Sequence, residues 1–220
     1  MIHIEHFAFN SFQTNSFLLW DDTGKCAIAD PGCASEAEIA ELTGFIAKTG
    51  IEPSCIILTH CHFDHIYGVA KLASEYGIPV YCSEGERFTL ETANPYMCKI
   101  FGLPFPEEFA MTYISEGDVI KAGNLCFEVL ETPGHSKGGL CYLERTEKVI
   151  LTGDTLFAGA IGRTDHPGGD YELMMRNIFE KLLHLEGETR VLPGHGPSSD
   201  ISTERMTNPF LMPFNEPNED

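Results

Sequence analysis

Positive charge is scarce in this sequence: 14 lysines and arginines stand against 33 aspartates and glutamates, a net charge of −19 with histidine neutral. That balance opposes any polyanionic partner, so nucleic acid and anionic membrane surfaces are excluded as targets, and nuclease activity with them. No apolar run is long enough to span a bilayer. The opening Met1-Ile2-His3-Ile4-Glu5-His6 lacks both the basic stretch and the hydrophobic core of a secretion signal, so the expected location is cytoplasmic. Eight cysteines are scattered without a C-x-x-C pair, mostly in apolar runs, and read as reduced core thiols. Repeats, low-complexity segments and linkers are also missing. The 220 residues therefore read as one domain, 1–220, long enough to bury a substantial core.

Metal-binding side chains, by contrast, are concentrated. Thr59-His60-Cys61-His62-Phe63-Asp64-His65 places four of them within six residues, directly after the apolar run Cys55-Ile56-Ile57-Leu58. That run reads as a short buried strand. The residues after Asp64-His65 turn helical in spacing, with Ile66, Val69, Ala70, Ala73 and Tyr76 on one face and Gly77 as the stop. The cluster thus lies on a strand-to-helix turn, where side chains converge and Asp64 can cap the helix as well as offer an oxygen to a cation. His60 and His62 can chelate one ion while Asp64 and His65 face another.

The remaining pattern is mixed. Residues 2–9, 17–20 and 25–29 read as strands, the last ending at Asp30-Pro31-Gly32. Ser35 and Glu38 form a capping box for a helix that carries Ile39, Leu42, Phe45 and Ile46 and stops at Gly50. Pro79–Cys82, Leu125–Leu130, Leu140–Leu143, Val149–Leu151 and Thr189–Leu192 read as further strands, and about 171–185 as a helix. Residues 84–118 are less legible. Their proline-broken segment Phe101–Pro106 suits either a lid over a groove, within 101–109, or a loop packed on the core. Strands and helices mixed throughout predict a layered α/β architecture.

Three more candidates stand where a strand ends beside glycine: His135 in Pro133-Gly134-His135, Asp154 in Gly153-Asp154, and His195 in Pro193-Gly194-His195. Glycine there lets backbone and side chain approach a shared point. His3, His6, His166 and His184 lack such a context and read as structural. Lys137 reads as a solvated turn residue and Cys61 as packing.

Taken together and in order, Asp30-Pro31-Gly32, His60-x-His62-x-Asp64-His65, Pro133-Gly134-His135, Gly153-Asp154 and Pro193-Gly194-His195-Gly196 resemble the metallo-β-lactamase superfamily of metallohydrolases over nearly the whole chain. Gly153–Gly159 with Gly162-Arg163 is similar to glyoxalase II, the hydroxyacylglutathione hydrolases, and the ending Pro193–Pro197 with Glu204-Arg205 and Asn208-Pro209-Phe210 to its short bacterial branch. The resemblance implies an αββα sandwich with two divalent metals in a cleft at one edge. His60, His62 and His135 would hold one, Asp64, His65 and His195 the other, and Asp154 would bridge them, with Asp64 and Asp154 as catalytic carboxylates. Imidazole and carboxylate without thiolate suit Zn²⁺ first, with Fe or Mn²⁺ as alternatives. Asp30 would orient a ligating histidine.

The implied reaction is hydrolysis of a thioester such as S-lactoylglutathione by a hydroxide held between the metals, with Arg163 contacting a glutathione carboxylate. Longer members add a helical domain that grips glutathione; here only residues 196–220 follow His195, read as a helix and apolar tail (201–220) that packs back or meets a second copy in a homo-oligomer. Asp165 also stands where the longer proteins carry an aromatic. Persulfide dioxygenases share the ligand pattern with a single iron, and lactone hydrolysis is a further alternative. A metal-binding protein without turnover is the alternative outside enzymes.

Overall fold

Apolar alternation along the strands builds two six-stranded sheets in the computed structural model, which describes residues 1–212. The first half of the chain runs β1 (His3–Phe9), β2 (Thr14–Trp20), β3 (Lys25–Ala29), α1 (Glu36–Thr49), β4 (Glu52–Ile57), α2 (Phe63–Ile66), α3 (Val69–Tyr76), β5 (Val80–Cys82), α4 (Asn94–Phe101) and β6 (Thr112–Tyr113). The second runs β7 (Val119–Ala122), β8 (Leu125–Glu131), β9 (Leu140–Glu144), β10 (Val149–Gly153), the hairpin β11 (Leu156–Phe157) and β12 (Ala160–Ile161), α5 (Tyr171–Asn177), β13 (Arg190–Pro193), β14 (Ser199–Asp200) and α6 (Ile201–Thr207). Spatial order is β1 to β6 in one sheet and β14-β13-β10-β9-β8-β7 in the other.

Because side chains alternate across a strand, each sheet feeds two interfaces. Leu18, Ile28 and Ile56 point outward to Leu42 and Leu72 of the helices, while Phe17, Ala27 and Ile57 point inward. On the second sheet Tyr142, Leu151 and Leu192 meet them, and Cys141, Ile150 and Val191 turn to Met174 and Leu182 on the far side. Three apolar clusters therefore separate four layers, and the fold is the αββα sandwich. Tyr142 pins the sheets together by donating its buried hydroxyl to the Leu58 carbonyl at 2.8 Å. Tyr142→Phe is expected to cost about 1–2 kcal/mol in chemical denaturation with an unchanged m-value.

Strand direction decides where the site lies. β3 and β4 are parallel, β10 and β13 are parallel, and β8 and β10 both run antiparallel to β9. The C-terminal ends of β3, β4, β8, β10 and β13 therefore fall at a common edge, carrying Asp30, residues 60–65, His135, Asp154 and His195 respectively.

The local expectations hold in part. Ser35 and Glu38 form the capping box and Gly50 closes α1 in the left-handed region. The helix after His65 is instead two pieces, interrupted where the Gly68 N–H donates to the Pro31 carbonyl at 2.8 Å. Asp64 lies inside the first turn rather than capping it; the N-cap position is His62. The long helix near 171–185 passes from α5 into a π-helical turn at Ile178–Leu182, and Leu182 and Leu183 are both buried. Residues 84–118 contain α4 and the short strand β6, with the Pro104 carbonyl accepting from the Tyr67 hydroxyl at 3.1 Å. Seven of the eight cysteines are buried and Cys126 is exposed, all of them free. Phe214 and the rest of the expected tail lie outside the described residues.

Candidate metal centre

All seven expected side chains meet at the shared edge. His60, His62 and His135 present ligand atoms within 4.8 Å of one another, and so do Asp64, His65 and His195. His62 Nδ1 and His135 Nε2 lie 2.8 Å apart. Asp154 stands between the clusters: Oδ2 is 3.4 Å from His135 Nε2 and 3.5 Å from His195 Nε2, while Oδ1 is 3.5 Å from His65 Nε2. Gly194 makes this approach achievable, since a Cβ there would overlap Asp154 Oδ1 and come within 2.8 Å of His65 Cε1. Gly134, at φ 145°, plays the same part for His135, because a side chain would collide with Met174.

Four of the five imidazoles are aimed from behind, which fixes ring and tautomer. His135 Nδ1 meets the Arg163 carbonyl at 2.8 Å, and His195 Nδ1 the Phe12 carbonyl at 3.1 Å. His65 Nδ1 lies 3.2 Å from Asp30 Oδ2, and His60 Nδ1 3.1 Å from the Thr59 hydroxyl. Asp30 also groups with His60 and His65 within ligand distance, but both of its oxygens are engaged. Oδ1 accepts from Thr59 N–H at 2.8 Å and Oδ2 from the Thr59 hydroxyl at 2.6 Å, so Asp30 stands behind His65 rather than in the cleft. Asp64 Oδ2 accepts from the buried Thr14 hydroxyl at 2.7 Å and lies 3.4 Å from His195 Nε2.

The electrostatics divide the centre in two. Burial first, then neighbouring imidazoles, hold His60 and His135 well below the ordinary histidine range and bring His62 to about 3. These three are therefore neutral and ready to donate lone pairs. Around Asp64 the balance reverses. Burial is the largest influence on His65 and lowers it, but Asp64, Asp154 and Asp30 outweigh it and raise the group to about 10. Burial likewise pushes Asp64 up, and His65, His195 and Thr14 override it to hold the carboxylate below its usual range. Asp154 goes the other way, raised because burial exceeds the pull of His65 and His195.

Buried polar atoms are nearly always hydrogen-bonded. Here His60 Nε2, His65 Nε2 and Asp154 Oδ1 are buried without such a partner, and all three belong to the converging donors. A nitrogen and oxygen set of this kind fits divalent cations of the Zn, Fe or Mn type.

Arg163 does not reach this centre with its side chain. Its guanidinium is exposed and forms two hydrogen bonds to Asp165, at 2.9 and 3.1 Å; only its backbone carbonyl serves His135. Among the histidines read as structural, His166 is misplaced by that reading. Its ring packs edge-on against His62 and His135 at 4.9 and 4.7 Å, with Nε2 3.3 Å from His135 Nδ1. It has no strand end or motif to reveal it, and the chain reversal after Arg163 brings it there. Asn15 was equally silent: its amide donates to the carbonyls of Pro193 and Gly196 at 2.9 and 2.8 Å and clamps the His195 loop. Lys137 lies with its ammonium over the Phe88 ring, 3.7 Å from the centroid.

Known proteins are similar to this chain in sequence and fold. Over 96% of this chain and 98% of its own length, hydroxyacylglutathione hydrolase GloC of Haemophilus influenzae is 37% identical. The crystal structure of BLEG-1 B3 metallo-beta-lactamase superposes with a TM-score of 0.87 at 35% identity, covering 95% of this chain and 99% of that one. That of TTHA1623 in a di-iron-bound form gives 0.83 at 34% identity, covering 94% and 100%. Residues 10–195, from the turn after β1 to the last histidine of the centre, match the Metallo-beta-lactamase superfamily. With the four layers, the edge site and its ordered donors in agreement, the chain belongs to the metallo-beta-lactamase superfamily of metallo-hydrolases.

Proposed function

We propose that this protein hydrolyses a thioester of the hydroxyacylglutathione class at a centre of two divalent cations. The observation that carries the reading is the position of Asp154 between two separate donor clusters, with its carboxylate facing both. His60, His62 and His135 would hold one cation, Asp64, His65 and His195 the other, and Asp154 both. Cations so held would lower the pKa of bound water to about 7 and polarise a carbonyl. Asp64 would serve as the carboxylate donor of the second cluster through Oδ2, which the Thr14 hydroxyl and His195 already hold in place. Asp30 keeps His65 oriented through Nδ1. The leaving thiol, with a pKa of about 8.5, departs as thiolate without a strong general acid. The similarity to GloC supports the substrate class. Of the metals, zinc is proposed first, and the di-iron form of TTHA1623 supports iron as the alternative.

Arg163 would contact a carboxylate of the thiol by exchanging Asp165 for substrate, an affordable exchange because exposed ion pairs are weak. Arg163→Ala is then expected to raise KM for S-lactoylglutathione roughly fivefold with kcat within about twofold. Asp165→Asn, which frees the guanidinium, should lower KM. Equal KM values in all three proteins would remove Arg163 from the substrate site. The reaction class is tested by turnover of S-lactoylglutathione, other glutathione thioesters, a lactone and glutathione persulfide on metal-analysed protein. Thioester cleavage should dominate; oxygen uptake with the persulfide on one iron per chain would replace this reading, and metal loading without any turnover would leave a binding protein.

A further inference from the structure

Glu86 belongs to no motif, yet its carboxylate is fully buried beside the metal centre. It ends a single 3-10 turn, Glu84–Glu86, that follows β5. Oε2 accepts from the backbone N–H of Cys61 at 2.7 Å. Oε1 accepts from the Ser136 hydroxyl at 2.6 Å and from the Gly138 N–H at 2.9 Å. Cys61 lies between His60 and His62, and Ser136 follows His135. One carboxylate therefore ties together the two loops that supply the three-imidazole cluster.

The backbone is shaped to permit this. A Cβ on Gly85 would stand 2.8 Å from Gly138 Cα, and one on Gly138 would stand 2.6 Å from the Glu86 nitrogen, so only glycines let the turn and loop touch. Asn94 braces the same histidine loop independently, donating to the Cys61 carbonyl at 2.8 Å and accepting from Phe63 N–H at 3.1 Å. The other cluster has its own supports in Thr14, Asp30 and Asn15.

A buried carboxylate is costly and is tolerated only when fully hydrogen-bonded. We propose that Glu86 is a positioning residue: it fixes the spacing of His60 and His62 against His135 and thereby sets the affinity of that cluster for a divalent cation. The inference rests on the two-metal reading. Glu86→Gln keeps the size of the side chain but turns an amide N–H₂ toward one of the N–H donors, loosening one side of the strut.

The test is titration of metal-free protein with Zn²⁺ against a chromophoric chelator, in wild type and Glu86→Gln. One of the two equivalents should weaken by roughly 10–100-fold, the usual effect of an outer hydrogen-bond partner, and the other should stay within about threefold. In a His195→Ala background, the remaining equivalent should carry the loss. A merely structural carboxylate would lower the melting temperature of the metal-free protein and leave both affinities equal to wild type, or weaken both alike; either result overturns the proposal. Should Glu86→Gln fail to fold, Ser136→Ala removes one donor and keeps the charge. It should weaken the same equivalent roughly tenfold, and unchanged binding overturns the proposal. A wild-type protein that binds no Zn²⁺ would overturn the metal reading together with this one.

Discussion

Replacing Asp154 by alanine should reduce hydrolysis of the best thioester substrate by at least about a thousandfold, with an unchanged far-UV spectrum. The carboxylate lies at the end of β10, in the one place from which both donor clusters are within 3.5 Å. Alanine removes the one carboxylate that lies against both His135 and His65 among the described residues. Gly194 cannot supply a substitute, and Asp30 is engaged by Thr59 and His65. Metal analysis should accordingly fall below two ions per chain. Asp154→Asn separates charge from shape: it keeps the volume and should lose nearly as much, because a neutral amide cannot balance two cations. Thioester cleavage retained in either variant, at full metal loading, would remove Asp154 from the mechanism.

Stripping the metal should lower the melting temperature by ten degrees or more. A ligand present at a thousand times its Kd stabilises the folded state by about 4 kcal/mol per site. For a chain of this size each kcal/mol moves Tm by roughly 2–4 °C. The donors are distributed over four strand ends of both sheets, so binding cross-links the whole edge rather than one loop. Without a cation, Asp64 and Asp154 also face one another across a buried space, with His65 as their shared counter-charge. Calorimetry of chelator-treated and zinc-restored protein measures the difference directly. A Tm that does not move on metal removal would show that these side chains do not share a tightly held ion.

Much of the centre was legible because its ligands announce themselves at strand ends beside glycine. His60, His62, Asp64 and His65 sit on one turn, and His135, Asp154 and His195 each follow a short apolar run. What the pattern could not show was the supporting layer. Glu86, Asn15, Thr14 and His166 carry no periodic or spacing signal, since each acts through a contact with a residue far away in sequence: 25 positions in Glu86 to Cys61, 50 in Thr14 to Asp64 and 178 in Asn15 to Pro193. The broken helix after His65 was hidden for the same reason. Its interruption at Gly68 answers to the Pro31 carbonyl, which local spacing does not contain. Arg163 shows the converse, a residue whose motif is plain but whose side chain turns to Asp165 while its carbonyl serves the site.

By itself the sequence determined a layered α/β fold and a set of seven candidate donors, because alternation, glycine position and ligand type are local properties, while the four-layer sandwich and the division of the donors came only as what the family resemblance implies. Only the tertiary structure decided what brings the donors together and what supports them. Parallel alignment of strands distant in the chain brings their ends to one edge, where burial lowers the pKa of His60, His62 and His135 while the surrounding carboxylates raise that of His65.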